Sequence, residues 1–213
     1  MSSSLIILVH GLWMSGFELG VLKHRLEADG RFRAVPFSYP SLRGSMADHV
    51  RSLIDFARTQ KADELHFVGH SLGGLVVLKA LQVTDDLPPG RAVLMGTPLQ
   101  GSKAAQGVAR MVPFGKAILG HAVNEEIVEC QPREWSGRRE IGVIAGSMGM
   151  GLGRLFAQLQ ADHDGTVLVE ETRLPGSKDH VVLSTSHTGM LFSAEVARQA
   201  ERFLLDGQFD KSS

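Results

Sequence analysis

An open, mostly parallel six-stranded sheet with helices on both faces is predicted for this chain. Two observations carry that prediction. Six short runs rich in Val, Ile and Leu, at residues 5–9, 32–37, 64–68, 91–95, 141–145 and 180–183, are separated mostly by helical patterns, the alternation that builds an α/β sheet covered on both sides. At 213 residues and 43% hydrophobic, the chain can bury one sizeable core and is short for two, so a single domain over residues 1–213 is expected.

The elements follow in order. Residues 5–9 come after Met1-Ser2-Ser3-Ser4, which has no positive n-region and no small-residue cleavage site, so the apolar run reads as the first core strand rather than a leader. Segment 45–60 opens with Ser45 and, three residues on, Asp48, while Met46, Val50, Leu53, Ile54 and Ala57 form one apolar stripe, the pattern of a capped surface helix. Residues 72–83 are apolar nearly all round, as in a helix caught between the sheet and other elements. Between Met95 and Ile141 lie about 45 residues, longer than an ordinary connection. Ile118, Leu119, Val123, Ile127 and Val128 recur there at helical spacing, predicting a small helical cap over 98–140; a plain crossover helix with long loops is the alternative. Residues 146–153 are too glycine-rich for regular structure and are expected to form a mobile loop. Segment 193–206 opens with Ser193, carries an apolar stripe and stops at Gly207, a helix that closes the domain.

Composition excludes several function classes. Twenty-two Lys and Arg against 23 Asp and Glu give a net charge of −1, which leaves no electrostatic footprint for nucleic acid or an anionic membrane. Cys130 is the only cysteine, ruling out an intrachain disulfide and any Cys-rich zinc or redox motif. A single cysteine suits a reducing compartment, and a cytoplasmic location is expected. No run approaches the roughly 18 apolar residues of a membrane span, so no integral membrane association is expected.

One motif stands out. Gly69-His70-Ser71-Leu72-Gly73-Gly74 contains Gly-x-Ser-x-Gly, weak evidence by itself in a chain with 24 glycines. Its context is specific: the serine follows the predicted strand 64–68 and precedes the predicted helix 72–83, the strand–turn–helix arrangement of a nucleophile elbow. So sharp a turn forces Ser71 to positive φ and excludes side chains at 69 and 73. It also points the amide of Leu72 at the place where an oxyanion would develop. A second donor is available after the first strand, where Val9-His10-Gly11-Leu12-Trp13 lets the chain turn at Gly11 and present the amide of Leu12.

With these segments in view, the chain resembles the small bacterial lipases and esterases of the α/β-hydrolase superfamily, including glycosylphosphatidylinositol-deacylase-like members. The resemblance rests on Val9-His10-Gly11, Gly69-His70-Ser71-Leu72-Gly73-Gly74, Gly96-Thr97-Pro98 with Gly101-Ser102, Asp164-Gly165-Thr166-Val167 and Ser186-His187-Thr188-Gly189, in the family's order. It departs in lacking the extra N-terminal strands of larger members and in its short cap. The resemblance implies a minimal α/β-hydrolase fold and hydrolysis of a small-molecule acyl ester without cofactor or metal.

A base must then come last in chain order, near a strand end. Of nine histidines, only His180 and His187 lie late enough. His180 begins the last predicted strand, whereas His187 lies just beyond its C-terminal end, where the functional groups of open parallel sheets collect. His187 is therefore the candidate base. By order the acid could be Asp162, Asp164 or, less well placed, Asp179; Asp164, followed by Gly165, is the one the family's Asp-Gly-x-Val implies. Asp162-His163-Asp164 lacks the further ligands a zinc site needs. Trp13, Met148 and Met150 are candidate substrate-contacting residues. An acyltransferase or thioesterase would use the same groups, and a ligand-binding protein could retain them as a pocket.

Overall fold

The computed structural model describes residues 4–130, 132–149 and 162–211. Strands β1 (Ser4–Val9), β2 (Arg33–Phe37), β3 (Glu64–His70), β4 (Ala92–Met95), β5 (Ile141–Gly146) and β6 (Asp179–Leu183) form one sheet in the order β2-β1-β3-β4-β5-β6. Every neighbouring pair is parallel. Helices α1 (Gly20–Leu26), α2 (Met46–Thr59), α3 (Leu72–Val83), α4 (Lys103–Met111), α5 (Gly115–Leu119), α6 (His121–Val123) and α7 (Ala194–Asp206) connect or cover the strands.

Strand alternation sorts the core into two layers. Along β1, Leu5, Ile7 and Val9 point to the side covered by α2 and α3, while Ile6 and Leu8 point to the side covered by α1 and α7. A strand buried on both faces must be apolar throughout, which is why β1 reads as an unbroken hydrophobic run. The caps match the sequence. Ser45 Oγ accepts the Asp48 amide at 3.2 Å and the Asp48 carboxylate accepts the Ser45 amide at 3.0 Å. Ser193 caps α7 by accepting the Val196 amide at 3.2 Å, and Gly207 ends it at φ 74°.

Two features depart from expectation. The sequence reading placed no helix between β1 and β2, yet α1 lies there; it has no side-chain N-cap, and its signal is little more than buried Leu22 and Leu26. The long connection after β4 folds as α4, α5, α6 and a π-helical turn over Asn124–Val128, within the 98–140 segment expected to carry helix. Of the glycine-rich 146–153 segment, only 146–149 belong to the described residues. Among the described residues, no helix is long and apolar enough to cross a membrane.

The strand order places the site. From β1 the chain goes outward to β2, then returns to β3 on the other side of β1, so the winding reverses between β1 and β3. Register aligns Val9 with Gly69 and His70 with Met95, so these strands end along one carboxyl edge. At such a reversal the loops splay apart and leave a crevice.

Burial of histidine sets a pH limit on the fold. Desolvation lowers the pKa of His10, His49 and His180, and takes His66 to about 4 and His70 to about 3. The unfolded chain binds these protons near pH 6.5 and the folded chain does not, so stability is full above about 6.5 and falls as pH drops toward 4. His66 and His70, the most strongly shifted, each steepen that decline by up to about 1.4 kcal/mol per pH unit. Melting temperatures between pH 7.5 and 4 should fall progressively, and a flat profile would contradict the neutral buried histidines.

Candidate active site

A single residue, Ser71, turns the chain from β3 into α3, at φ 54° and ψ −123°. A side chain held there costs about 1–3 kcal/mol, which the surroundings must offset. They do so by close packing. A Cβ on Gly73 would lie 2.3 Å from the carbonyl oxygen of Val9, and one on Gly74 would lie 2.0 Å from Thr97 Oγ1. Only glycine lets α3 approach β1 and β4 this closely. Hydrogen bonds from the Ser71 amide to Met95 O, 2.9 Å, and from the Gly74 amide to Ser71 O, 3.0 Å, hold the turn.

The loop after β1 lies directly against it. A Cβ on Gly11 would sit 3.0 Å from Ser71 Cβ. His10 fixes this loop from below. Its Nε2 accepts the Tyr39 amide at 3.2 Å, so Nδ1 carries the proton and donates to Gly11 O at 2.8 Å. Tyr39 stacks on the His10 ring at 4.5 Å and donates its hydroxyl to His10 O. Among the described residues, no main-chain carbonyl takes the amide of Leu12 or of Leu72 in the loops and turns, and both residues line the crevice. Trp13, at φ 60° and half exposed, lines it too and donates its indole N–H to Ile118 O at 3.2 Å, tying the β1 loop to α5.

His187 and Asp164 meet across the end of β4. His187 Nδ1 lies 2.7 Å from Asp164 Oδ2, and the His187 amide donates to Asp164 O at 2.8 Å. The carboxylate accepts, so Nδ1 carries the proton and Nε2 is left as an acceptor. Asp164 is buried, and its other oxygen accepts the amides of Thr166 at 2.8 Å and Val167 at 2.7 Å. Gly96, at φ 55°, leaves the pair its room: a Cβ there would lie 3.1 Å from His187 Nδ1. Among the described residues no hydrogen bond joins Ser71 Oγ to His187; the two line one cavity of about 620 Å³. Such contacts commonly tighten only with substrate bound.

The other candidates are distributed elsewhere. Asp162 is exposed, and its carbonyl takes the Val169 amide. Asp179 and His180 sit at the start of β6, the edge away from the crevice, where His180 Nε2 pairs with Thr172 Oγ1 at 3.0 Å. Met148 corrects the sequence reading: it is not among the residues lining the cavity. The amides of Ser147 and Met148 bond to Leu183 O and Thr185 O, which carries this segment along β6 at the sheet's edge. Met150 lies outside the described residues.

The cavity has two unlike walls. Ala105, Val108, Leu119, Val123 and Ile127, from α4 to the π turn, make one side apolar. Glu18, Ser186 and Thr188, from the loops leading into α1 and α7, make the other polar. Sequence reasoning assigned no role to His10 and Tyr39; their signal was faint, a histidine just past a strand end and a lone tyrosine.

Comparison with known proteins agrees with this architecture. The family model described as the alpha/beta hydrolase family matches residues 6–178, and the chain belongs to that family. Bacillus licheniformis lipase BlEst2 in its mature form superposes with a TM-score of 0.71 at 18% identity, covering 89% of this chain and 87% of that one. Naproxen esterase (carboxylesterase NP) from Bacillus subtilis gives 0.61 at 15% identity over 94% and 83%. Carboxylesterase CesB from Bacillus subtilis gives 0.58 at 13% identity over 96% and 84%. At these identities the likeness is one of fold. No curated protein matches the chain in sequence.

The elbow makes a stability prediction. Gly73→Ala sets its Cβ against two backbone carbonyls, at 2.3 and 2.4 Å, and should cost about 3 kcal/mol or more. Gly20→Ala meets nothing within 4 Å in α1 and should be neutral or stabilising by up to about 1 kcal/mol. Urea denaturation compares the two.

Proposed function

We propose that this protein is a serine hydrolase that cleaves carboxylic esters through an acyl-enzyme, with Ser71 as nucleophile, His187 as general base and Asp164 as the acid that orients it. The observation carrying the proposal is the convergence, on one cavity, of a serine on a strained strand-to-helix turn and a histidine whose Nδ1 is 2.7 Å from a buried carboxylate. The alpha/beta hydrolase family match and the esterase and lipase names of its structural neighbours support the same reaction class.

In the first half-reaction, Nε2 of His187 takes the Ser71 hydroxyl proton as Oγ bonds to the ester carbonyl carbon. The carbonyl electron pair moves onto oxygen, which the amides of Leu12 and Leu72 receive. Collapse of this intermediate breaks the bond to the alcohol oxygen, and the alcohol leaves with the proton from His187. Water then adds to the acyl-enzyme by the same route and releases the acid. Ester and water alone balance the reaction. Asp164 cannot swing away, because two amides hold its second oxygen; it keeps the imidazole in the Nδ1–H tautomer and stabilises the imidazolium. The apolar wall beneath α4 to α6 would take the acyl chain, and the polar wall beside His187 the departing alcohol.

A fluorophosphonate probe should label the wild type and not Ser71→Ala, and ester turnover should fall on the order of 10⁶-fold in that variant. His187→Ala should lose nearly all turnover, while His180→Ala, altered at the far edge, keeps it. Asp164→Asn should cost about 10⁴-fold in kcat without unfolding, through the wrong tautomer, and Asp162→Asn far less. A folded wild type that does not label would sink the hydrolase proposal; a reversed order of the two aspartates would move the acid to Asp162.

A further inference from the structure

His70, the last residue of β3 and the neighbour of Ser71, is buried at 1% exposure. The mechanism above gives it no task. Its ring centroid lies 4.8 Å from that of His187, and its Nε2 is 2.9 Å from the main-chain oxygen of His187. A carbonyl can only accept, so Nε2 carries the hydrogen and Nδ1 is bare. Among the described residues Nδ1 has no hydrogen-bond partner, and it faces the loop after β1, where a Cβ on Gly11 would approach it to 3.2 Å. The ring thus bridges the elbow, the glycine beside the proposed oxyanion site and the loop that carries the base.

The consequence falls on His187. Its amide is held by Asp164 O at 2.8 Å and its carbonyl by His70 at 2.9 Å. With both main-chain polar atoms fixed, the imidazole has little freedom to drift relative to Ser71. We propose that His70 is a positioning residue, whose Nε2–H ties the main chain of His187 to the elbow and so sets the reach of the imidazole toward the Ser71 hydroxyl. This rests on the assignment of Ser71 and His187 above. Burial, with His187 close by, holds the His70 pKa down at about 3, so the ring stays neutral and its donor persists wherever the enzyme is active. His70 cannot serve as the base itself, since Nε2 is committed and Nδ1 is closed off against Gly11.

The geometry distinguishes substitutes. Gln places a side-chain N–H near the position of Nε2, Asn places one only near Nδ1, and Phe fills the space with no donor. A displacement of about 1 Å can cost on the order of 10²-fold in rate. His70→Phe should therefore lower kcat for a p-nitrophenyl ester about 10- to 100-fold with KM within about twofold, and slow fluorophosphonate labelling of Ser71 in parallel. His70→Gln should stay within about fivefold of wild type, and His70→Asn should resemble His70→Phe. Circular dichroism and melting temperature report whether each variant folds. If His70→Phe does not fold, the Gln and Asn variants still decide, since both are smaller and polar and only one restores the donor. A folded His70→Phe with wild-type kcat, or Gln and Asn variants equal in kcat, overturns the proposal. Those results leave the hydrolase assignment standing; a wild type without Ser71-dependent turnover removes both.

Discussion

The structure depends on one strained residue. Ser71 occupies a backbone conformation that side chains avoid, and the two hydrogen bonds that hold its turn, with Met95 and Gly74, do not remove that strain. Payment comes from packing at a distance: α3 sits close enough to β1 and β4 that side chains at Gly73 and Gly74 are excluded, and its buried face of Leu75, Val76, Leu78 and Leu81 fills the larger core layer. Relaxing the turn would withdraw that helix from the sheet. At roughly 1.5–3 kcal/mol for each large apolar side chain buried, the helix outweighs the strain several-fold. The serine oxygen is thereby held clear of the sheet before any substrate arrives.

What the elbow presents, three other loops complete, and each leaves a different strand at the same edge. The β1 loop is fixed by His10 and Tyr39, the Asp164 loop by its own amides, and the His187 loop by contacts to Asp164 and His70. None of these contacts belongs to a helix or sheet hydrogen-bond ladder. A parallel sheet makes this economical: all strands point the same way, so every strand end delivers a loop to one edge, and β4 can stay short, ending at Met95 just before Gly96, to let the Asp164 and His187 loops meet over it.

All six runs became strands: the inner ones were legible because strands buried on both sides are apolar nearly throughout, and the edge strands β2 and β6, only partly buried, by their short Val- and Leu-containing runs. Chain order and strand ends singled out Ser71 and His187, and the structure brings both to one cavity. Asp164 was harder. Asp162 and Asp164 are equivalent by order, and what separates them in space is a turn in which one carboxylate accepts its own following amides at Thr166 and Val167; only family resemblance pointed to it. Met148 was misjudged for a physical reason: an apolar residue in a glycine-rich loop says nothing about direction, and here main-chain bonds to the β6 side lead it away from the cavity. His10 and His70 escaped notice as functional groups because a histidine beside a glycine at a strand end reads as packing, and their hydrogen-bond partners are main-chain atoms that no sequence pattern records.

The segment between β4 and β5 obeys a different logic. Helices α4, α5 and α6 span nine, five and three residues, all shorter than the 12 to 15 or so at which an isolated helix becomes marginally stable in water. Their order must come from attachments: Leu119, Ala122, Val123 and Ile127 are buried in the core layer, and polar contacts fix the segment's ends. Arg133 reaches Leu99 O at 2.9 Å and both the carbonyl and the carboxylate of Glu126, closing the base of the segment. Glu171 accepts the amide of Lys103, at the start of α4, at 2.7 Å and that of Leu168, in the Asp164 loop, at 2.9 Å. Burial pushes the Glu171 pKa up while these two amides oppose it. Trp13 ties α5 to the loop bearing Leu12. The apolar wall of the cavity is thus fastened to two loops of the proposed catalytic apparatus, one through a carboxylate and one through an indole. A shift of that wall would therefore pull on the loop bearing Leu12 through Trp13 and on the Asp164 loop through Glu171.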